Sequence, residues 1–152
     1  MVEADHVTRR ALAAAIRRHR PEVLICPNFR ETFGFPGWNH VDHRNVGVAL
    51  LDAARDAGNR WLFTDLIDQG LEPWNGVRFV AFSNSPEATH GVDISDHLNR
   101  GIASLEQHRV YLGSLPEGTM GTDPDAMLRG FAEQTGPEMG VELAVAFELI
   151  PL

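Results

Sequence analysis

Residues 20–44 read Arg20-Pro21-Glu22-Val23-Leu24-Ile25-Cys26-Pro27-Asn28-Phe29-Arg30-Glu31-Thr32-Phe33-Gly34-Phe35-Pro36-Gly37-Trp38-Asn39-His40-Val41-Asp42-His43-Arg44. The apolar run Val23-Leu24-Ile25-Cys26 has the length and composition of a short buried strand. Residues 28–39 are rich in glycine, proline, asparagine and aromatics, and read as an irregular loop. Beyond them Val46, Leu50, Ala53 and Ala54 recur at helical spacing within 44–57, with Asp42 placed to cap that helix and Gly58 to stop it. Strand, loop and helix in succession form the unit of an α/β layer fold, whose ligands gather at the carboxyl ends of strands. His40-Val41-Asp42-His43 falls at that place.

The rest of the chain continues the alternation. Residues 5–19 read as a helix with Leu12, Ala15 and Ile16 on one face and Arg9, Arg10, Arg17 and Arg18 around it; Asp5 or Thr8 caps it and Pro21 stops it. Residues 60–67 fit a strand or a short helix. Residues 77–83 read as a strand entered through Asn75-Gly76. Ser95 or Asp96 caps a helix carrying Leu98, Ile102, Leu105 and Leu112. Thr122-Asp123-Pro124 opens a further helix with Met127, Leu128 and Phe131 facing inward, ended by Gly136-Pro137. Residues 141–150 close the chain as a strand in which Val141, Leu143, Val145, Phe147 and Leu149 alternate. The expectation is one α/β domain over 1–152, a Rossmann-like three-layer sandwich with a mostly parallel sheet.

Composition narrows the function classes. A net charge of −8 disfavours nucleic acid, which needs a basic stripe, and anionic lipid. No apolar run approaches the length of a membrane span, and the start lacks the basic flank and apolar core of a signal peptide, so a cytoplasmic location is expected. The single cysteine, Cys26, leaves no internal disulfide and reads as a small buried side chain. All thirteen basic residues are arginine, a codon-composition habit of a GC-rich genome.

The motif carries the chemistry. His43 stands one residue past the expected cap, so its ring can turn back into the loop and offer a nitrogen to zinc. Asp42 can cap with one oxygen and orient a histidine with the other. His40, outside the helix, is free to act as acid, base or oxyanion donor. The bland alternative is a structural cap flanked by two polar loop histidines. Trp38 and Phe35 either wall a sugar pocket or bury the loop. Arg44 either binds substrate or forms a surface ion pair. His90 and Asp93 are outlying metal candidates whose ordinary reading is a loop histidine and a turn aspartate, and His97 and His108 read as helix-face residues.

The stretch from Arg20 to Ile25, the loop, and His40-Val41-Asp42-His43-Arg44 opening an Ala-rich helix resemble the PIG-L/LmbE-like family of zinc-dependent N-deacetylases, which carries an H-P-D-H motif between a strand and a helix. Asn59-Arg60-Trp61-Leu62-Phe63, Gly70-Leu71-Glu72-Pro73-Trp74 and Thr89-His90-Gly91-Val92-Asp93-Ile94 are similar to its later segments, so the resemblance spans about 5–149. It implies zinc as cofactor, His43 as metal ligand, His40 as the histidine that stabilises the oxyanion or protonates the leaving amine, and Asp42 as the residue that orients it. The implied partner is a small amino-sugar or glycoconjugate substrate of the N-acetylglucosamine type, and a homo-oligomer is a further expectation. Val41 replaces the family's proline. The family also carries an H-P-D-D segment after its first strand, which supplies two ligands and the general base, and no His-Pro pair occurs here. Against the family the chain is therefore expected to be N-terminally truncated, lacking the first strand, or else a decayed enzyme. Two other readings stay open: an inactive binding or regulatory module, and another metal-dependent hydrolase such as a phosphoesterase.

Overall fold

The computed structural model of the chain describes residues 1–33 and 36–152. Phe35, one of the two aromatics offered as a pocket wall, lies outside them. The elements in order are α1 (His6–His19), β1 (Val23–Pro27), α2 (Val41–Gly58), α3 (Thr64–Asp68), β2 (Phe79–Ser83), β3 (His90–Asp93), α4 (Leu98–Glu106), α5 (Arg109–Leu112), α6 (Pro124–Met139) and β4 (Ala144–Pro151). They form two compact units, Met1–His90 with Phe147–Leu152, and Gly91–Ala146. No helix is long and apolar enough to cross a membrane among the described residues.

The strands lie in the order β1-β2-β4-β3. β1 and β2 are parallel, with Val23 opposite Phe79 and Pro27 opposite Ser83. β4 runs antiparallel to β2, with Phe79 opposite Pro151 and Ser83 opposite Phe147. The bonds Thr89 N–H to Phe147 O (3.1 Å) and Ile94 N–H to Leu143 O (2.9 Å) advance in opposite directions along the two strands, so β3 is antiparallel to β4 as well. The sheet is therefore mixed, with one parallel pairing, and the expected mostly parallel sheet is corrected. Polarity alternation reveals which face of a strand is buried and carries no signal of strand direction.

In the first unit α1 and α2 pack together over one face of the sheet. Leu24 and Cys26 of β1, Val80 and Phe82 of β2 and Ile150 of β4 meet Ala13 and Ile16 of α1 and Leu50, Ala53, Ala54 and Ala57 of α2. These alternate strand positions share a face, as the period of two requires. Val23 and Ile25, on the opposite face of β1, are 40% and 71% exposed. In this unit the helices thus lie against one face of β1 only, short of the three layers expected.

Arg17 reads in the sequence like the surface arginines of α1, yet it is 2% exposed. Its guanidinium donates to the carbonyls of Ala57 (3.0 Å), Asn59 (2.8 Å) and Leu62 (3.0 Å), with longer contacts to Phe63 (3.4 Å) and Asp56 (3.5 Å). The last turn of α2 leaves carbonyls without intrahelical partners, and its negative dipole end favours a cation. Arg17 satisfies both needs at the α2–α3 corner. Beside it Arg9 grips the Asp56 carboxylate with Nε (2.9 Å) and one terminal nitrogen (2.8 Å).

In the second unit Leu98 and Ile102 of α4 pack with Ala132 and Leu143, flanked by Ile94 and Leu128. The inner face of α6 is thus Leu128, Ala132 and Gly136, whereas Phe131 is 40% exposed. Asp123 caps α6 as expected, accepting from the Ala126 N–H at 3.0 Å. Pro137 does not end the helix but sits in its last turn, which closes at Gly140 in the left-handed region. Gly136 is required where the chain folds back, because a Cβ there would run into the Glu142 carbonyl. The residues expected to form one helix from Leu98 to Leu112 divide into α4 and α5, and His97 precedes α4 without a side-chain cap.

Candidate functional site

β1 delivers its carboxyl end to Asn28, and the loop returns to α2 at His40. Its base is closed four ways. The Asn28 carboxamide accepts from the Arg30 N–H (2.8 Å) and donates to the Thr32 carbonyl (2.8 Å). Thr32 and Trp38 form an antiparallel bridge. The Asn39 N–H donates to the Glu31 carbonyl at 2.8 Å. The Asn39 side chain is fully buried and donates twice, to the carbonyls of Asn28 (2.8 Å) and Arg30 (2.9 Å).

A second clamp holds the loop to the sheet. Arg30 bonds both oxygens of Glu148 on β4, its Nε at 3.2 Å, and reaches Glu87 at 2.8 Å. The Ser85 hydroxyl donates to Glu148 at 2.5 Å. Burial alone would raise the Glu148 carboxyl, but the hydrogen bonds from Arg30 and Ser85 and the Arg30 charge outweigh it and hold it below its ordinary value. The apolar alternation of the last strand runs through Val141, Leu143, Val145, Phe147 and Leu149 and leaves Glu148 out of phase. Glu148 is nevertheless buried, because the Arg30 guanidinium partners its charge.

The cap of α2 is His40, not Asp42. The His40 Nδ1 accepts from the Asp42 N–H at 3.1 Å, so α2 begins at Val41, three residues earlier than the apolar stripe suggested. A backbone N–H can only donate, so in the neutral His40 ring the proton sits on Nε2, which is left as a donor. The Asp42 carboxylate lies 3.7 Å from His40 Nδ1, and its Oδ1 accepts from the Val2 N–H at 2.7 Å. Asp42 therefore holds His40 through its backbone, and its carboxylate ties down the chain start together with Asn45, which donates to the Val2 carbonyl at 2.7 Å.

His43 does turn back to the loop, with its Nδ1 2.9 Å from the Asn39 Oδ1. The His40 and His43 rings stand edge to face with centroids 6.1 Å apart. Both residues are exposed. Trp38 is 67% exposed, and the Arg44 guanidinium lies over its ring at 5.0 Å. Arg44 thus stacks on the loop; its Nε is buried without a hydrogen-bond partner among the described residues. His90 is exposed and its Nδ1 lies 2.9 Å from the Thr89 hydroxyl. Asp93 accepts from the Ser95 N–H (2.9 Å) and hydroxyl (2.7 Å) as a turn residue. His97 and His108 are exposed. Cys26 is buried, and burial pushes its thiol up to about 11, as expected of an inert side chain.

The chemistry of a metal donor fits His43, an imidazole held at one nitrogen by an oxygen acceptor and exposed to solvent, which is how metal-binding histidines are oriented. Among the described residues no three His, Cys, Asp or Glu side chains converge to hold a metal ion. The residues that sequence patterns did not single out are Asn28, Asn39, Arg30, Ser85 and Glu148. The two asparagines bracket the loop, a position where turn chemistry alone accounts for them.

No family model matches the chain. No curated protein matches it either. Among solved structures, the N,N'-diacetylchitobiose deacetylase of Pyrococcus horikoshii, in complex with an inhibitor, superposes with a TM-score of 0.80 at 22% identity over 97% of this chain and 52% of that one. A conserved protein of Thermus thermophilus gives 0.72 at 24% identity over 99% of this chain and 61% of that one. The chain spans just over half of the first and about three-fifths of the second. These likenesses establish a shared fold, and it is the fold to which the sequence resemblance pointed.

Proposed function

We propose that this chain carries the two-histidine part of an amide hydrolase that removes an N-acetyl group from an amino sugar, free or carried on a larger glycoconjugate. One observation supports the reading above others. His40 presents an Nε2–H donor beside His43 at the loop–helix junction, within the fold of a diacetylchitobiose deacetylase. In such a hydrolysis water adds to the acyl carbon and the carbonyl oxygen gains negative charge. The C–N bond then breaks as the amine takes a proton. His40 Nε2–H is the group that stabilises the oxyanion, an interaction often worth about 3 kcal/mol. His43 is the proposed ligand to zinc, which when bound supplies a positive charge to polarise the acyl group. Trp38, exposed in the same loop with the Arg44 guanidinium over its ring, is the proposed face for the sugar ring.

The test is acetate release from an N-acetylglucosamine-type substrate in the presence of zinc, with metal content measured in parallel. His40→Ser is the better probe than alanine, because serine keeps a capping oxygen for α2 and so removes the donor without removing the cap. We expect His40→Ser to lower kcat about 100-fold with metal content unchanged, and His43→Ala to lower metal content. Undiminished acetate release in both variants sinks the reading. A second reading, a module of the same fold that binds without hydrolysing, is favoured by the commitment of the Asp42 carboxylate to the Val2 backbone. No acetate from the unaltered chain even when zinc is bound supports it.

A further inference from the structure

We infer that Asn39 is a positioning residue: its buried amide, locked by two loop carbonyls, holds His43 in the Nδ1–H tautomer and leaves Nε2 as the open lone pair of the ring. A side-chain amide can be turned end for end, and its neighbours decide which end is oxygen. The carbonyls of Asn28 and Arg30 can only accept, so the group facing them at 2.8 and 2.9 Å is the NH₂. The Asn39 oxygen must then face His43, 2.9 Å from Nδ1. An amide oxygen can only accept, so Nδ1 carries the proton. In a neutral ring Nε2 is left bare.

Burial makes the choice firm. Asn39 is fully buried, and reversing its amide would set NH₂ against Nδ1 and oxygen against two carbonyl oxygens, leaving buried polar groups without partners. The preference also opposes the ring's own tendency, since free histidine favours the Nε2–H tautomer. Two carbonyls of the loop after β1 thus dictate which nitrogen of a helix residue is available. His40, held at the same nitrogen but by a donor, the Asp42 N–H, takes the other tautomer, so the pair presents one donor and one acceptor.

The inference rests on the proposed role of His43 for its use, but not for its truth. The experiment is ¹⁵N NMR of the ring nitrogens of His43 in the zinc-free, substrate-free chain, at about pH 8.5, above the ordinary imidazole range. A protonated-type Nδ1 resonance and a bare-type Nε2 resonance are expected. Asn39→Ala should shift the ring toward the Nε2–H form. Asn39→Asp should keep Nδ1–H, because a carboxylate still accepts, while losing the two donations to the loop. A bare-type Nδ1 in the unaltered chain overturns the inference, and that spectrum decides even where a variant fails to fold. An unchanged tautomer in folded Asn39→Ala also overturns it. Failure of acetate release would overturn the deacetylase reading and leave the tautomer standing.

Discussion

Glu148 is a carboxylate inside the sheet, and its stability contribution has a sign. Its pKa in the folded chain is held below the ordinary value by the hydrogen bonds and charge that outweigh burial. Unfolded, it binds a proton more readily. The clamp therefore stabilises the fold fully above the ordinary glutamate range, and its contribution fades as pH falls through the lower folded value. Glu148→Gln should remove about 2 kcal/mol near neutral pH, a modest figure because Arg30 is one-third exposed and keeps Glu87. It should also flatten the loss of stability on acidification. Denaturant midpoints measured across the acidic range for both chains check this; parallel slopes would assign the acid sensitivity to other carboxylates. At the site, His40, Asp42 and His43 are legible as a motif at a loop–helix junction. Their bonding is not. Which imidazole caps the helix, and which meets an asparagine, depends on how the loop returns to α2, and the residue types of the motif do not name those partners.

At the scale of elements, apolar periodicity locates α1, β1, α2, β2 and α6 to within a few residues. The errors have physical causes. Pro137 ends no helix because a proline in the final turn forfeits a single backbone bond, and Gly140 supplies the left-handed closure. The Glu148 phase of β4 is read outward because a buried glutamate is legible only with its arginine. β1 also has a consequence as an element. It lies at an end of the strand order and exposes Val23 and Ile25. An edge strand with exposed branched side chains is a template for pairing. We expect concentration-dependent association in sedimentation velocity, with Ile25→Lys shifting the distribution toward monomer. A monomer at all concentrations in the unaltered chain would show that the edge is already protected.

For the molecule as a whole, the class of fold is legible because strands and helices alternate, whereas the mixed direction of the sheet is not, since the same side chains serve a strand in either sense. Burial of polar groups is the other hidden quantity. Arg17 looks like its neighbours on α1, and only the carbonyls arriving from residues 56–63 distinguish it. That arrival has a consequence in time. The partners of Arg17 lie 39–46 residues along the chain, and they converge only when α2 has ended and the α3 corner has formed. A contact of this kind is completed late in folding, so its loss falls on the unfolding rate. Arg17→Met, which keeps the stem and removes the donors, should cost about 3 kcal/mol and speed unfolding about 100-fold while leaving the folding rate nearly unchanged. Stopped-flow measurement of both limbs tests this, and a folding limb slowed by a similar factor would mean that the corner forms early. With the folding limb unmoved, the guanidinium acts as a latch: it sets how long a folded molecule lasts rather than how quickly one is made.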